Sequence, residues 1–450
     1  MDLGFETIGN ATLICHDGGP VLATDPWLAG DAYFGSWGLG HEVPAEQWAS
    51  VKACKNLWIS HGHPDHLSIA TLEQLRDKVI LLPDHIGGRI RRDLESMGFS
   101  TRVLPDGIWV ELAPRLKVCW LSDYNQDAIL LVDLGGRLLV DANDASDRGV
   151  GDFLQKTIAR YRQSWLLCLT GYGDADMIHF FDEAGARVLP DAAMKVALGP
   201  GIAGLLQHYG IKGFIPFSSM HRYQRADSIW ANEFTTEIDE HRRDFPQGQG
   251  IEILPAFVRM DLAREALTEL HPRELPEVVH PPEKFGDSWA DPLSAEDAAK
   301  LRDYFAPIEH LRTFLGAVTF RVGGRDSTID IAPHEQRRAI TFELPRASLL
   351  AAIGYEVFDD LLIGNFVKTT LVGDWHARNA AGLYPDFTPF VGKYADNGHA
   401  KSAAELAAYF GEYQRRGLMA AGPTLLSQAA FGRAGRYFGG SRGNAGDRPT

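Results

Sequence analysis

Four potential metal ligands fall within six residues of this sequence, directly after an apolar run at 57–59: His61, His63, Asp65 and His66. His61 and His63 are two positions apart, so on an extended or tightly turning backbone their imidazoles point the same way. Asp65 and His66 follow in the loop that should start a helix. The segment therefore predicts two adjacent metal half-sites, and such mixed ligands suit zinc, iron or manganese. The alternative is a polar turn that happens to be rich in histidine.

The segments around this loop alternate between predicted strands and predicted helices. Two short strands are expected within 1–30, and apolar runs predict further strands at 79–83, 101–104, 107–112, 116–121, 128–132, 137–140, 164–170 and 213–217. Helical spacing predicts helices at 68–78, 88–97, 151–163 and 193–208. Gly135 and Gly136 lie between two apolar runs and indicate a hairpin turn. This alternation is typical of helices layered on sheets.

The chain has 450 residues, which is enough for two or three domains. A proline-rich stretch at 275–290 predicts a linker between a catalytic domain at 1–274 and a C-terminal α+β region at 291–438. The strand–strand–strand–helix order of that region weakly resembles sterol-carrier-type domains. The Gly-, Arg- and Asp-rich residues 439–450 are predicted to be a disordered tail.

Charge and composition narrow the class of protein. A formal net charge of -15 argues against broad nucleic-acid binding, which needs a basic surface. The cysteines lie in or beside apolar runs, so buried free thiols are expected at Cys15, Cys54, Cys119 and Cys168. The first residues lack the features of a secretory signal, and no apolar stretch reaches the roughly 20 residues of a membrane helix. We therefore predict a soluble, cytoplasmic protein with no membrane span.

The histidine motif resembles the His-x-His-x-Asp-His signature of the metallo-β-lactamase superfamily. Residues 9–14 and 21–28 are similar to the opening hairpin and the Asp-Pro-Trp turn of one branch of that superfamily. The resemblance implies a four-layered αββα sandwich, with the metals at one edge between the two sheets. The predicted fold class is therefore α/β, an αββα metallo-β-lactamase sandwich with a smaller C-terminal α+β region.

Superfamily members usually add a third histidine, a bridging aspartate and a last histidine, each at the end of a strand. The bridging aspartate should follow the strand that ends at Val140, where Asp141 and Asp144 are candidates and helix capping is the alternative for either. The last histidine is best placed at His221, with a hydrogen-bonded structural histidine as the alternative. Asp65 could orient an attacking water as well as bind metal.

The third histidine is where this sequence departs from the superfamily. It should fall shortly before the strand at 128–132, and residues 121–127 contain no histidine. Asp123 is the preferred substitute, with Asn125 or Asp127 behind it, and an open coordination position is the alternative. Replacing nitrogen with oxygen hardens the site and favours iron or manganese over zinc. The departure argues against a plain β-lactamase or hydrolase.

Three stretches are similar to the CMP-N-acetylneuraminate hydroxylase-like branch of the superfamily: the Asp-Pro-Trp turn, the Asn143-Asp144 pair and the run from Ser218 to Ser228. In that branch the Asn-Asp pair follows the hairpin, and for this reason we prefer Asp144 as the bridging ligand. Residues 358–366 and 384–386 also fit its tail region. Vertebrate members carry an N-terminal Rieske iron–sulfur domain, which is not expected here.

Two arginines beside the predicted last histidine could bind substrate. Arg222 and Arg225 could hold a carboxylate or phosphate through two hydrogen bonds each, and Tyr223 lies between them. Ion pairing of the arginines with Asp227 is the alternative. The predicted substrate is a small anionic molecule.

The resemblance implies a non-haem di-iron oxygenase. Two ferrous ions would be held by His61 and His63 and by Asp65, His66 and His221, with Asp144 between them. Electrons would come from a separate ferredoxin, reductase or small reductant. The rival is a hydrolase in which two zinc or manganese ions activate a water against a phosphodiester, ester or amide. A third reading, a lipid or ligand carrier, depends on the C-terminal region alone.

Overall fold

The computed structural model describes residues 1–416 apart from 124, 146, 148–149, 172–176, 191–192, 219, 335, 374, 376–382, 384–386 and 395–398. The predicted tail region at 384–386 and the C-terminal residues 417–450 therefore lie outside the described residues. The helices are α1 (Ala45–Ala53), α2 (Ile69–Leu72), α3 (Arg89–Ser96), α4 (Gly151–Ile158), α5 (Gly199–Tyr209), α6 (Ala295–Phe305), α7 (Arg346–Tyr355), α8 (Phe358–Ile363) and α9 (Ala403–Arg415).

The first sheet joins eight strands, six from the first 103 residues and two from residues 258–269. In spatial order they are β19 (Ala266–Glu269), β18 (Val258–Asp261), β1 (Leu3–Ile8), β2 (Thr12–Asp17), β3 (Pro20–Thr24), β5 (Asn56–Trp58), β6 (Val79–Leu82) and β7 (Ser100–Val103). Strands β1 to β3 are antiparallel, whereas β3, β5, β6 and β7 run parallel. The carboxyl ends of these parallel strands therefore meet at one edge of the sheet.

The second sheet has seven strands. In spatial order they are β17 (Glu252–Ile253), β15 (Gly213–Pro216), β12 (Ser164–Cys168), β11 (Arg137–Asn143), β10 (Ala128–Leu134), β9 (Leu116–Ser122) and β8 (Val110–Ala113). Gly135 and Gly136 turn the β10–β11 hairpin with φ of +61° and +79°, which two-residue hairpin turns require. Strands β11, β12, β15 and β17 are parallel.

The two sheets pack face to face because every second side chain of their strands is apolar and points inward. Their shared core includes Leu13 and Trp58 from the first sheet and Trp120, Leu130 and Ile215 from the second. The rings of Trp58 and Trp120 lie 5.0 Å apart. On the outer faces, α1, α2 and α3 cover the first sheet, and α4 and α5 cover the second. The predicted αββα sandwich is confirmed.

A third sheet of six strands belongs mainly to the C-terminal region. Its order is β14 (Arg187–Val188), β13 (Phe180–Phe181), β23 (Lys368–Val372), β22 (Ala339–Glu343), β20 (Ala317–Val322) and β21 (Arg325–Asp330). Helices α6, α7 and α8 cover one of its faces in a core that includes Leu301, Leu349 and Phe358. Because β13 and β14 precede residue 275, segments from both sides of the predicted linker share this sheet.

A fourth, two-stranded sheet pairs β4 (Trp37–Leu39) with β16 (His221–Tyr223). Sequence reasoning did not anticipate this sheet, nor did it anticipate α1. The predicted helix at 68–78 is shorter than expected, with α2 followed by a 3-10 turn at Glu73–Leu75. Among the described residues no helix combines the length and apolar character needed to cross a bilayer.

Candidate metal centre

The polar residues of the site directly follow the carboxyl ends of parallel strands in the two sheets. They are Asp25 after β3, the His61–His66 loop after β5, His85 after β6, Asp144 after β11 and Ser218 after β15. Strand ends of this kind are where α/β sheets usually bind ligands, because the loops there converge while the sheets stay rigid. The cleft between the two sheets thus collects residues that lie far apart in the sequence.

Side-chain nitrogens and oxygens of the predicted ligands converge in this cleft. His61 Nε2 lies 3.0 Å from His63 Nδ1 and 3.8 Å from Asp144 Oδ2. His66 Nε2 lies 3.2 Å from Asp65 Oδ2 and 3.4 Å from Asp144 Oδ2. One ligand atom each from His61, His63 and Asp144 fall within 4.8 Å of one another. The structure therefore brings together five of the predicted ligands, with Asp144 next to both half-sites.

Asp141, the other candidate for the bridging position, has a different environment. It lies inside β11, where it is paired in register with Leu130. Burial and the nearby charge of Asp25 raise the pKa of Asp141 well above its usual range. Of the two aspartates, Asp144 is the one in contact with the histidine nitrogens.

Asp25 holds the histidine loop from behind. Its carboxylate accepts hydrogen bonds from Ser60 N (2.8 Å), from Ser60 Oγ (2.7 Å) and from the side-chain amide of Asn143. Its Oδ2 also lies 3.2 Å from His66 Nδ1. This contact fixes the His66 ring with Nε2 directed into the cleft, the usual arrangement for a metal-binding histidine.

Asp65 is fixed by its own set of partners. Its Oδ1 accepts from the Tyr33 hydroxyl at 2.6 Å, and its Oδ2 accepts from Asn10 Nδ2 at 2.8 Å. Burial alone would raise the pKa of Asp65, but the charge of His66 and the hydrogen bonds from His66 and Tyr33 lower it below the usual range. The side chain is therefore held as a carboxylate. The Asp144 side chain also has a fixed partner, because its Oδ1 accepts from Ser218 Oγ at 2.6 Å.

The histidines of the loop differ strongly in their electrostatics. Burial and the neighbouring histidines lower the pKa of His61 well below its usual range. Burial opposes protonation of His63 as well, but the contact with Asp359 and the charges of Asp360 and Asp65 outweigh it and raise the pKa of His63 to about 10. The carboxylates next to His63 thus favour a positive charge at this place, which a bound cation would supply.

The residues proposed for the missing third histidine occupy the turn after β9. Asp123 Oδ1 accepts from the backbone N–H of Asn125 at 2.8 Å and of Asp127 at 3.3 Å. Asp127 Oδ1 lies 3.4 Å from His61 Nδ1, so of the three alternatives it has the contact to a predicted ligand. The side-chain amide of buried Asn125 has no hydrogen-bond partner among the described residues. A ligand role for Asp123 stays a prediction.

His221 enters the cleft from β16. Its ring stacks on the Trp37 indole at 3.4 Å, and burial lowers the pKa of His221 to about 3 although the charge of Asp65 opposes this. Neither ring nitrogen has a hydrogen-bond partner in the described part of the chain. A buried, neutral imidazole without partners is costly unless something binds it. A metal ion fits this requirement.

The predicted substrate-binding residues lie on or after β16. Arg225 is fully buried and forms ion pairs with Asp227 and Asp287, both at 2.9 Å, which is the ion pairing that the sequence left open as an alternative. The Tyr223 hydroxyl accepts from Asn365 Nδ2 at 2.8 Å. Arg222 is next to His221 in the strand, so the two side chains point to opposite faces and Arg222 points away from the cluster. Its guanidinium lies 3.6 Å from the Glu274 carboxylate.

Several residues at the site were given no role by the sequence. His85 Nε2 donates to Ser60 O at 2.9 Å, and burial lowers the pKa of His85 to about 4. Its place after a predicted strand could have indicated it. Asp359 and Asp360 of α8 lie with His63 in a second group of potential ligands. No local pattern marks these two, because acidic residues are common in the first turn of any helix.

The donor set fits two divalent metal ions. Imidazoles and carboxylates converge from both sheets, and the two nitrogens of His221 are unpartnered among the described residues. Mixed nitrogen and oxygen donors suit iron, manganese or zinc.

Part of the chain is similar to known hydroxylases. It is 29% identical over 168 residues to cytidine monophosphate-N-acetylneuraminic acid hydroxylase from Mus musculus, covering 35% of this chain and 29% of that protein. It is 31% identical over 131 residues to the Danio rerio protein of the same name, covering 27% of this chain and 22% of that one. The matches thus span less than a third of these relatives. No protein-family model matches the chain.

Solved structures resemble it more distantly. CmlA, a diiron beta-hydroxylase from Streptomyces venezuelae, aligns at a TM-score of 0.40 and 15% identity over 58% of this chain and 54% of that one. The metallo-β-lactamase fold protein YhfI from Bacillus subtilis aligns at a TM-score of 0.32 and 13% identity. The alignment covers 57% of this chain and 97% of that one. What decides the fold is the αββα order of layers with the histidine loop at their edge. The chain has a metallo-β-lactamase fold. In this metallo-β-lactamase fold the third sheet is an addition to the sandwich.

Proposed function

We propose that the chain is a dinuclear metalloenzyme, a non-haem di-iron oxygenase that hydroxylates a small anionic substrate with electrons from a separate donor. The observation that carries the proposal is the mixed ligand cluster, in which the carboxylates of Asp65 and Asp144 converge with three histidines. A metal site that combines carboxylates with imidazoles suits iron better than a site with nitrogen ligands alone. About a third of the chain is similar in sequence to hydroxylases, and this similarity also supports an oxygenase.

The proposed ligands divide between the two ions as the contacts suggest. His61 and His63 would hold one ion, Asp65, His66 and His221 the other, and Asp144 would lie between them. Asp144 is suited to this place because its Oδ2 lies 3.4 Å from His66 Nε2 and 3.8 Å from His61 Nε2. Bound ferrous iron would supply the reduction of O₂ that hydroxylation needs.

The protein itself contributes ligands that are held in fixed positions and an apolar side of the site that excludes water. Asp25 and Ser60 orient the imidazoles, and Tyr33 holds the Asp65 carboxylate in one position by donating to Oδ1. The Trp37 indole is buried against His221 and excludes water from that side. Preorganised ligands of this kind need little rearrangement when substrate and O₂ bind.

A cavity next to the histidine loop could receive the anionic substrate. It has a volume of about 680 Å³ and is lined by His85, Arg89, Arg91 and Arg416 together with Asp84 and Glu412. His85 connects it to the cluster through Ser60, the residue before His61. Arginine side chains could pair with a carboxylate or phosphate of the substrate.

Metal analysis tests the proposal. The protein is purified from iron-supplied cells without added zinc, and its metal content, its near-ultraviolet absorption after oxidation and its O₂ uptake with a chemical reductant are measured. We expect about two irons per chain and an oxo-bridge absorption band, because the donor set combines carboxylates with imidazoles. His61→Ala should lose iron, whereas His271→Ala, at an exposed histidine, should keep it. Two zinc ions with phosphodiesterase or esterase turnover would instead identify a hydrolase.

A further inference from the structure

Each histidine of the metal loop has a carboxylate next to the ring nitrogen that faces away from the cluster. The three pairs are His66 Nδ1 with Asp25 Oδ2 at 3.2 Å, His61 Nδ1 with Asp127 Oδ1 at 3.4 Å, and His63 Nε2 with Asp359 Oδ2 at 3.9 Å. The other nitrogen of each ring faces a predicted ligand. Asp25 and Asp127 lie directly next to strands of the two sandwich sheets, but Asp359 comes from the C-terminal region.

The fold holds the Asp359 carboxylate in place from several sides. Asp359 is 3% exposed in the first turn of α8, next to Phe358, which anchors that helix in the core of the third sheet. Its Oδ1 has no hydrogen-bond partner among the described residues. Gly392 packs directly on the carboxylate, since a Cβ at that position would lie 2.2 Å from Oδ1. A buried carboxylate is costly without a cationic or donor partner, and His63 is the group it faces.

We propose that Asp359 is a positioning residue of the metal centre, which holds His63 so that Nδ1 faces the ion. The inference rests on the proposed metal centre but not on the identity of the metal or the reaction. A carboxylate behind a metal-binding histidine fixes its tautomer and raises its basicity, and its loss commonly lowers metal affinity about 10–100-fold. The C-terminal region would thus help to build the metal site rather than only lie beside it.

The geometry favours positioning over direct ligation. His63 Nδ1 is the nitrogen 3.0 Å from His61 Nε2, whereas Asp359 lies at the opposite nitrogen of the same ring. An ion between His61 and His63 would therefore have the His63 ring between itself and Asp359.

Cobalt titration separates these roles. The metal-free full chain is titrated with Co²⁺ against a competing chelator, with the visible absorption of the bound ion as readout and circular dichroism as a check of folding. We expect Asp359→Ala to weaken one of the two Co²⁺ sites about 10–100-fold. Asp359→Asn keeps an oxygen that can accept a hydrogen bond from His63, so this variant should lose less Co²⁺ affinity than Asp359→Ala. Gly392→Ala should also weaken binding, because its Cβ displaces the carboxylate.

The matched control is Asp297→Asn in the same region. Asp297 is equally buried, but it caps α6 and pairs with Arg346, so its loss should lower the melting temperature and leave Co²⁺ affinity unchanged. If Asp359→Ala behaves like Asp297→Asn, the positioning role is wrong. If Asp359→Asn abolishes one site as completely as His63→Ala does, Asp359 is a ligand and the role is again wrong. A wild-type chain that takes up no Co²⁺ would overturn both this inference and the metal centre, whereas normal uptake without oxygenase activity would overturn only the proposed reaction.

Discussion

At the scale of single residues, the metal loop depends on a side chain that is not one of its proposed ligands. Asp25 is fully buried, and its backbone has φ of +37°, a conformation that few residues other than glycine tolerate. It is kept there because its carboxylate accepts hydrogen bonds from Ser60 and Asn143 and contacts His66. The Asp-Pro-Trp turn was recognisable in the sequence, but these partners were not.

We predict that Asp25→Ala destabilises the protein and weakens metal binding together. The substitution leaves buried donors of Ser60, Asn143 and His66 without an acceptor, and breaking such a buried network costs about 3–5 kcal/mol. Urea unfolding and metal titration measure the two effects.

Asp261→Ala is the control for this variant. Asp261 accepts from two backbone N–H groups in an exposed turn, so its loss should cost under about 1 kcal/mol and leave metal binding intact. Equal unfolding midpoints for the two variants would contradict the role given to Asp25.

At the scale of elements, the site is made where loops from both sheets meet a segment of the C-terminal region. Gly62, between His61 and His63, packs on the Tyr394 ring, and a Cβ there would lie 2.3 Å from it. The Tyr394 hydroxyl donates to Asp93 of α3. The loop is thus held between the sandwich and residues that follow the third sheet.

We predict that Gly62→Ala displaces the loop. The added methyl group overlaps the Tyr394 ring, and such overpacking costs about 1–3 kcal/mol. Metal affinity should fall with stability, because the displaced loop carries the proposed ligands. The Gly62→Ala, Tyr394→Gly double variant removes the ring and the Tyr394 Cβ, which also lies within 2.5 Å of the added methyl group, and should recover part of both losses in a double-mutant cycle. A purely additive cycle would show that this contact does not position the loop.

The limits of prediction also lie at this scale. The His61–His66 loop was predictable because its ligands are neighbours in the sequence and follow an apolar strand. The strand end at Val140 left Asp141 and Asp144 both as candidates, and the preference for Asp144 came from the resemblance. Nothing local distinguishes Asp359 from an ordinary acid at a helix start. The β4–β16 pair, which brings Trp37 onto His221, joins two short segments without alternating patterns. Such pairing depends on tertiary contacts that a single sequence does not show.

At the scale of the whole molecule, buried polar contacts connect the sandwich to the C-terminal region. Arg225 pairs with Asp287, which lies inside the predicted linker at 275–290 and accepts from Ser348 at the start of α7. The Arg225 guanidinium also lies 4.1 Å from the Phe366 ring. A linker residue that is buried in an ion pair holds the two parts together, in keeping with the contact between His63 and Asp359.

The central claim is that residues from distant parts of the chain hold two metal ions in the cleft between the sheets. The most direct test is anomalous diffraction from crystals of protein produced with iron and zinc both supplied, with data collected on each side of the iron and zinc edges. The account predicts two iron peaks, one next to His61 and His63 and one next to Asp65 and His66, with Asp144 between them. Zinc at both positions would contradict the oxygenase, and a cleft with no anomalous peak would contradict the metal centre itself.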